Sequence, residues 1–323
     1  MNFIHFKLKR LKMFGVLLVF LIGLIALPAL ANSSVQAESR ATIQFVSPDW
    51  VAQHARDSNL RILDVRSNYL EYFTGHIPNA VHIAEGAFRG PNGVLPVQYW
   101  TTHHLSQLFA QAGLTRSSQV LVYSDGRDIL GATMVAYLLE RSGLQKLAVL
   151  DGGYKVYKDS GQPVAKEFPQ YDIRQFTIRD NPSVRVTLAD VRQAIGNSSI
   201  TFLDPRPPNV FRGEEQIWVR NGHIPGARNI PWTLFTEGDA ATNEGNFHAL
   251  KPLSEIRQLL NDRNIQPTKD IIVTCSTGRE ATLQYIVLKH LLGYPNVRVY
   301  EGSWTEYSSY PDLPVETGPE REA

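Results

Sequence analysis

The chain of 323 residues contains one cysteine, Cys275. A lone cysteine excludes an internal disulfide framework, so packing alone has to hold the fold, and an oxidised thiol cannot be resolved within the chain. No excess of either charge is present, since 32 Lys and Arg face 31 Asp and Glu. That balance argues against nucleic acid or an anionic membrane as partner. The exception to an otherwise mixed pattern is the N-terminus, where an apolar run at 13–27 follows Lys7, Lys9, Arg10 and Lys12. Ala29 and Ala31 supply small residues for a signal peptidase, with Val35-Gln36-Ala37 as a second site. Residues 1–31 are therefore expected to be a secretory signal and 32–41 a flexible leader, which places the protein in the periplasm or an equivalent extracytoplasmic compartment. The alternative is an uncleaved anchor, because 13–31 approaches the length of a membrane span. Cleavage takes away four basic and no acidic residues, leaving 28 against 31 and a net charge near −3, with no stable membrane insertion.

What is present is one plan written twice. LRILDVRSNYLEYFTGHIPNAVHI at 60–83 and SITFLDPRPPNVFRGEEQIWVRNGHIPGARNI at 199–230 both run apolar strand, Asp-x-Arg, aromatic stretch, Gly-His-Ile-Pro, second strand. QVLVYSDGRD at 119–128 matches DIIVTCSTGRE at 270–280, and KLAVLDGGYKVY at 146–157 matches NVRVYEGSWTEY at 296–307. The offset grows from 140 at Asp-x-Arg to 147 at Gly-His-Ile-Pro and 150 at the Asp-Gly-Gly/Glu-Gly-Ser turn, so copy two has a longer loop between Arg206 and His223. Internal repetition at this scale sets the domain plan before any local argument. Short apolar strands alternate with helical stretches such as GATMVAYLLERSG and ATLQYIVLKHLLG, which predicts an α/β fold, each copy a mainly parallel sheet with helices on both faces. Sites in such sheets lie at the carboxyl ends of the strands. Residues 163–182, with prolines at both ends and no helical period, are expected to be a linker lying across both domains.

Cys275 begins the segment CSTGRE between an apolar strand and a helix. A loop of this kind turns backbone N–H groups inward and adds the positive end of the following helix, an environment that favours a thiolate and a bound anion. Arg279 is expected to add to this positive potential. Phosphatase chemistry would need an arginine at 281, which is Ala281, and acyl transfer would need a base beside the nucleophile, whereas the loop contains no histidine. Sulfur transfer asks for a thiolate, a ring of N–H donors and room for a small anion.

With these motifs in order, twice, and the cysteine only in the second copy, the sequence resembles the tandem-domain rhodanese sulfurtransferases from about Phe45 to Gly318. The segment EGSWTEYSSYPDLPVETG is similar to the family's C-terminal signature. The resemblance implies two tandem rhodanese-like domains: a non-catalytic domain at 42–162, a catalytic domain at 183–318 after the linker, and a tail at 319–323. It assigns Cys275 as the residue that takes a sulfane sulfur from a donor, holds it as a transient persulfide and passes it on, with no other cofactor and no metal. The backbone N–H groups of Ser276, Thr277, Gly278, Arg279 and Glu280 would stabilise the anion. Copy one has Ser124 or, with the two Gly-Arg pairs superposed, Tyr123 at the cysteine position, and would wall the site. The implied partners are a small anionic donor and a thiol or cyanide acceptor, for a monomer.

CSTGRE departs from both familiar loop types, the basic residue after cysteine of thiosulfate users and the Gly-Ser-Gly of 3-mercaptopyruvate users. Val210 stands where many relatives have a donor-binding arginine, which leaves Arg212, Arg220 or, preferably, Arg279 to bind the anion. Thiosulfate is the first expectation for the donor and 3-mercaptopyruvate the second. A non-catalytic persulfide carrier and a redox-sensing thiol are the competing classes. Asp64-Arg66 and Asp204-Arg206 occur in both copies and so are expected to be structural ion pairs, with His76 and His223 as structural plugs. His103 and His104 point about 100° apart on a helix and do not make a metal pair. The tryptophans are expected in cores and interfaces, with Trp218 alone a candidate to border the site.

Overall fold

A computed structural model describes residues 42–238 and 247–320; the expected signal, the leader and the last three residues lie outside them. The first copy contains β1 (Thr42–Val46), α1 (Pro48–His54), β2 (Leu60–Asp64), α2 (Tyr69–Thr74), β3 (Ala80–His82), β4 (Arg89–Asn92), β5 (Leu95–Tyr99), α3 (Thr102–Gln111), β6 (Gln119–Tyr123), α4 (Leu130–Arg141), β7 (Lys146–Leu150) and α5 (Gly153–Asp159). The second contains β8 (Arg185–Val186), α6 (Leu188–Ala194), β9 (Ile200–Asp204), α7 (Pro208–Phe211), β10 (Arg228–Asn229), α8 (Leu253–Asp262), β11 (Asp270–Val273), α9 (Arg279–Ile286), β12 (Val297–Tyr300) and α10 (Ser303–Tyr307).

Two parallel five-stranded sheets follow, ordered β1-β7-β6-β2-β3 and β8-β12-β11-β9-β10. Repeat for repeat, the strands take the same places, so the duplication seen in the sequence is a duplication of topology. Apolar runs such as Ile271-Ile272-Val273 are wholly buried because a parallel sheet is covered on both faces. In the first copy a β4–β5 antiparallel hairpin is added; the Pro91-Asn92-Gly93 turn supplies its signal.

The two copies share one core, in which α4 is the central element. All twelve of its residues are buried, as expected of a helix apolar on every side. One side packs on its own sheet and the other on α9, where Thr133 and Thr282 hydroxyls meet at 3.0 Å and Tyr137 meets Tyr285 edge to face. Glu140, buried in this interface, accepts from Tyr285 Oη and pairs with His290 Nε2, both at 3.0 Å. The Asp-x-Arg pairs are alike in both copies: Arg66 reaches Asp64 and the Gly75 carbonyl, and Arg206 reaches Asp204 and the Gly222 carbonyl. His76 stacks on Tyr72 and bridges to Ala165, as His223 stacks on Phe211 and bridges to Glu316.

The segment 163–182 has most of its anchors in copy one. Arg174 N–H donates to the Ala110 carbonyl, Phe176 is buried against Phe109, and Asn181 N–H donates to the Arg141 carbonyl. It reaches copy two through Asp180, which pairs with both Arg141 and Arg185. Burial of the Phe176 ring fixes the segment to copy one at that point.

Candidate active site

Cys275 follows β11, the middle strand of the second sheet, at its carboxyl end. The loop is shorter than CSTGRE suggests, because α9 already begins at Arg279, and Glu280 lies in its first turn. Gly278 caps the helix at φ +87°, a left-handed position that favours glycine, and aims its N–H at Cys275 Sγ from 3.1 Å. Cys275 N–H donates to Ser303 Oγ at 3.2 Å, and that hydroxyl lies 3.8 Å from the sulfur.

Ser303 adopts φ +51°, a strained position for a residue with a Cβ. Its hydroxyl donates to the Tyr300 carbonyl while accepting from Cys275, which holds it there. In copy one the same turn carries Gly153 at φ +65°, where a Cβ would come within 2.6 Å of Gly126 N. Ser124, not Tyr123, is the counterpart of Cys275: Tyr154 N–H donates to the Ser124 carbonyl just as Trp304 N–H donates to that of Cys275. Tyr123 is a buried strand residue whose hydroxyl donates to Asp64.

Copy one closes over this loop. Tyr99 at the end of β5 donates its hydroxyl to the Gly278 carbonyl at 2.8 Å, and Gln98 reaches the Gly302 carbonyl. Arg89 at the start of β4 places Nη1 3.1 Å from Thr277 Oγ1. Cys275 is 0% exposed as a result.

Two expectations about charge are overturned. The thiol pKa is raised well above its ordinary value: burial pushes it up, the Glu280 carboxylate adds to this, and the Ala281 and Thr277 amides pull it down only in part. Counting positive ends along the loop omits the cost of holding a thiolate away from water, which dominates here. Arg279, the favoured anion binder, turns to copy one instead, with Nε 2.8 Å from Glu85 Oε2 and Nη2 2.8 Å from Asp128 Oδ1. Burial alone would lower its pKa, but Asp128 and Glu85 more than offset that and raise it. Both carboxylates lie more than 150 residues from Arg279 in sequence, so no local pattern announces them.

The remaining expected residues separate. Ser276 and Thr277 belong to the cysteine loop, with the Ser276 carbonyl held by Thr305. Arg212 is ion-paired to Glu214 at 2.7 Å and makes no contact with that loop among the described residues. Arg220 is spent on the carbonyls of Tyr307, Ser308, Tyr310 and Leu313, pinning the C-terminal segment. Trp218 packs on the outer core around Phe211 and Trp304. Arg89, Tyr99 and Ser303 were not among the expected site residues; the hairpin is legible as a hairpin, but not what it covers.

The family model for the rhodanese-like domain matches twice, at residues 47–160 and 187–310. A Synechococcus elongatus protein carrying a provisional thiosulfate sulfurtransferase name is 59% identical over 300 residues, 92% of each chain. The sulfur carrier protein TtuD of Thermus thermophilus is 31% identical, covering 85% of this chain and 97% of its own. The crystal structure of the Escherichia coli 3-mercaptopyruvate sulfurtransferase aligns with a TM-score of 0.70 at 27% identity, over 81% of this chain and 99% of that one. With twin sheets, a single cysteine at the end of β11 and both family matches in register with the repeat, the chain belongs to the rhodanese family and is a sulfurtransferase of two tandem rhodanese-like domains.

Proposed function

We propose that Cys275 takes the outer sulfur of thiosulfate, holds it as a persulfide and delivers it to a thiophilic acceptor such as cyanide or a small thiol. The observation that carries this choice is Arg89. It is half-buried beside Thr277, two residues from the nucleophile, and has no carboxylate partner among the described residues, whereas Arg279 has two. A guanidinium held on the cysteine loop through Thr277 suits a compact dianion whose charge is one bond from the transferred atom. The amides of Thr277, Gly278 and Ala281 supply the cradle for the persulfide that follows. The provisional name of the 59% identical relative agrees with this donor.

3-Mercaptopyruvate is the second donor, named for the Escherichia coli relative at 29% identity. A carrier role is the competing reading, favoured by the complete burial of Cys275 and by the Thermus relative's name. The basic and apolar N-terminal run supports export of the protein to an extracytoplasmic compartment.

The test is incubation of purified protein with thiosulfate or with 3-mercaptopyruvate, followed by intact mass. Gain of one sulfur atom from thiosulfate is expected, with steady turnover to cyanide. Loading only from 3-mercaptopyruvate would reassign the donor, and loading without turnover would make the protein a carrier.

A further inference from the structure

Ser303 holds the Cys275 amide from a backbone position, φ +51°, that a residue with a Cβ seldom adopts. Its own hydrogen bonds keep it there only while the turn Glu301-Gly302-Ser303 stays in place. On one side that turn is tied to the cysteine loop, since Trp304 N–H donates to the Cys275 carbonyl at 2.9 Å and Thr305 N–H to that of Ser276 at 3.0 Å. On the other side Glu301 ties it to copy one. Tyr137 Oη donates to Glu301 Oε1 at 2.7 Å, and Arg141 Nη1 lies 3.3 Å from Oε2. Tyr137 and Arg141 are four residues apart at the end of α4, hence on one face of that helix, and together they grip a carboxylate whose side chain is 15% exposed. Copy one has Asp151 at the matching place, and its carboxylate also crosses to the other copy, where Oδ1 accepts from Leu250 N–H at 2.8 Å. That side chain is one methylene shorter, meets an uncharged amide, and leads to Gly153, which tolerates φ +65° unaided. The longer, ion-paired grip goes with the strained serine and the cysteine.

From this geometry we infer that Glu301 is a positioning residue for sulfur loading: gripped by Tyr137 and Arg141 of copy one, it keeps Ser303 Oγ on the Cys275 amide. Without that grip Ser303 is free to relax from its strained position, and the buried Cys275 N–H is left without its partner. The backbone that carries the sulfur then shifts against Gly278 N–H, which lies 3.1 Å from Sγ. A misplacement of about 1 Å at a reacting atom costs roughly a hundredfold in rate. Donor binding is a separate matter, because Arg89 comes from β4 and touches the loop through Thr277. Loss of Glu301 therefore lowers the rate of loading and leaves donor affinity in place.

This role rests on the Cys275 persulfide proposed for the reaction, and a double-variant cycle on the full chain tests it. The rate of sulfur gain is read by intact mass over a range of thiosulfate concentrations. Glu301→Ala is expected to slow loading at saturation by about tenfold to a hundredfold, with KM for thiosulfate within about twofold of wild type. Ser303→Gly, which removes the hydroxyl and the backbone strain together, is expected to slow loading as well. Adding Glu301→Ala to it is expected to slow loading no further, because nothing is left for Glu301 to position. Additive losses overturn the assignment, since a residue that merely holds the fold together acts whatever stands at 303. Should Glu301→Ala fail to fold, Tyr137→Phe takes its place in the cycle, because the ring that packs on Tyr285 stays and only the hydroxyl is lost. Alkylation of Cys275 by iodoacetamide, measured on the same variants, separates this role from the choice of donor. A wild-type protein that gains no sulfur from either donor removes the donor proposal. Glu301→Ala changing the alkylation rate with Ser303 present and not with glycine there still supports the positioning role, and an equal change in both backgrounds, or none in either, overturns it.

Discussion

Ser124 and Cys275 stand at the same point of two sheets with the same strand order, and what surrounds them differs more than the one atom does. In copy one the Ser124 hydroxyl donates to the Asp128 carbonyl, and Arg127 folds back onto Asp125 and Glu71. Gly153 brings the next turn against the loop, with no hydroxyl to offer. In copy two the equivalent turn places Ser303 Oγ on the cysteine amide, and Gly278 N–H points at the sulfur. The copy without the cysteine supplies the roof: Arg89, Tyr99, Glu85 and Asp128 all come from copy one. Duplication thus yields one candidate site built from two domains, with the buried α4–α9 interface holding the cysteine loop and its roof in register.

The largest effect expected from breaking this asymmetry is at the nucleophile. Cys275→Ser is expected to abolish sulfur loading by intact mass, and adding Ser124→Cys to that variant is not expected to restore it, because copy one lacks the serine turn. A gain of sulfur by the double variant would show that the copies differ only in the one side chain.

The Asp-x-Arg pairs, alike in both copies, are the control. Arg206→Ala leaves the Asp204 carboxylate buried without its partner and is expected to cost about 3–5 kcal/mol by urea unfolding. Arg66→Ala should cost about as much in copy one, and a large inequality would deny the two pairs a shared structural role.

Third comes the roof. Arg89→Ala is expected to raise KM for thiosulfate by about ten- to a hundredfold, the loss of one charge-assisted contact, with unchanged thermal stability. Arg212→Ala, by contrast, should leave KM unmoved because its partner is Glu214. Equal effects from both would return donor binding to the residues suggested by sequence.

The smallest effect is the pH dependence of the copy-one pair. Burial pushes the Asp64 pKa up, but the His82 ring 3.6 Å away, with the Arg66 and Tyr123 hydrogen bonds, outweighs it and the net shift is downward. Its stabilising contribution is therefore present above the ordinary aspartate value of about 3.9 and lost as pH falls through the lower folded value. The stability gap between wild type and Asp64→Asn should accordingly be constant near neutrality and close in acid, which urea titrations at several pH values would measure.

Most of the fold was legible in the sequence because it is repetitive and locally coded. Apolar runs of strand length, helical stretches between them and paired Asp-x-Arg and Gly-His-Ile-Pro motifs each require only nearby residues to be recognised. Cys275 was legible for the same reason, as a residue between strand and helix that its repeat lacks. The donor-facing charges were not. Arg279 looked free because its neighbours in sequence leave it so, yet Glu85 and Asp128 reach it across the domain interface.

By itself, then, the amino-acid order determined the twin parallel sheets and the place of the one cysteine between strand and helix of the second copy, since backbone pattern and chain repetition are properties of short segments. Only tertiary packing decided the acidity of the thiol, the neutralisation of Arg279, and the presence of Arg89, Tyr99 and Ser303 at the site. Desolvation and charge pairing depend on what folds over a residue, and here that cover comes from the other half of the chain.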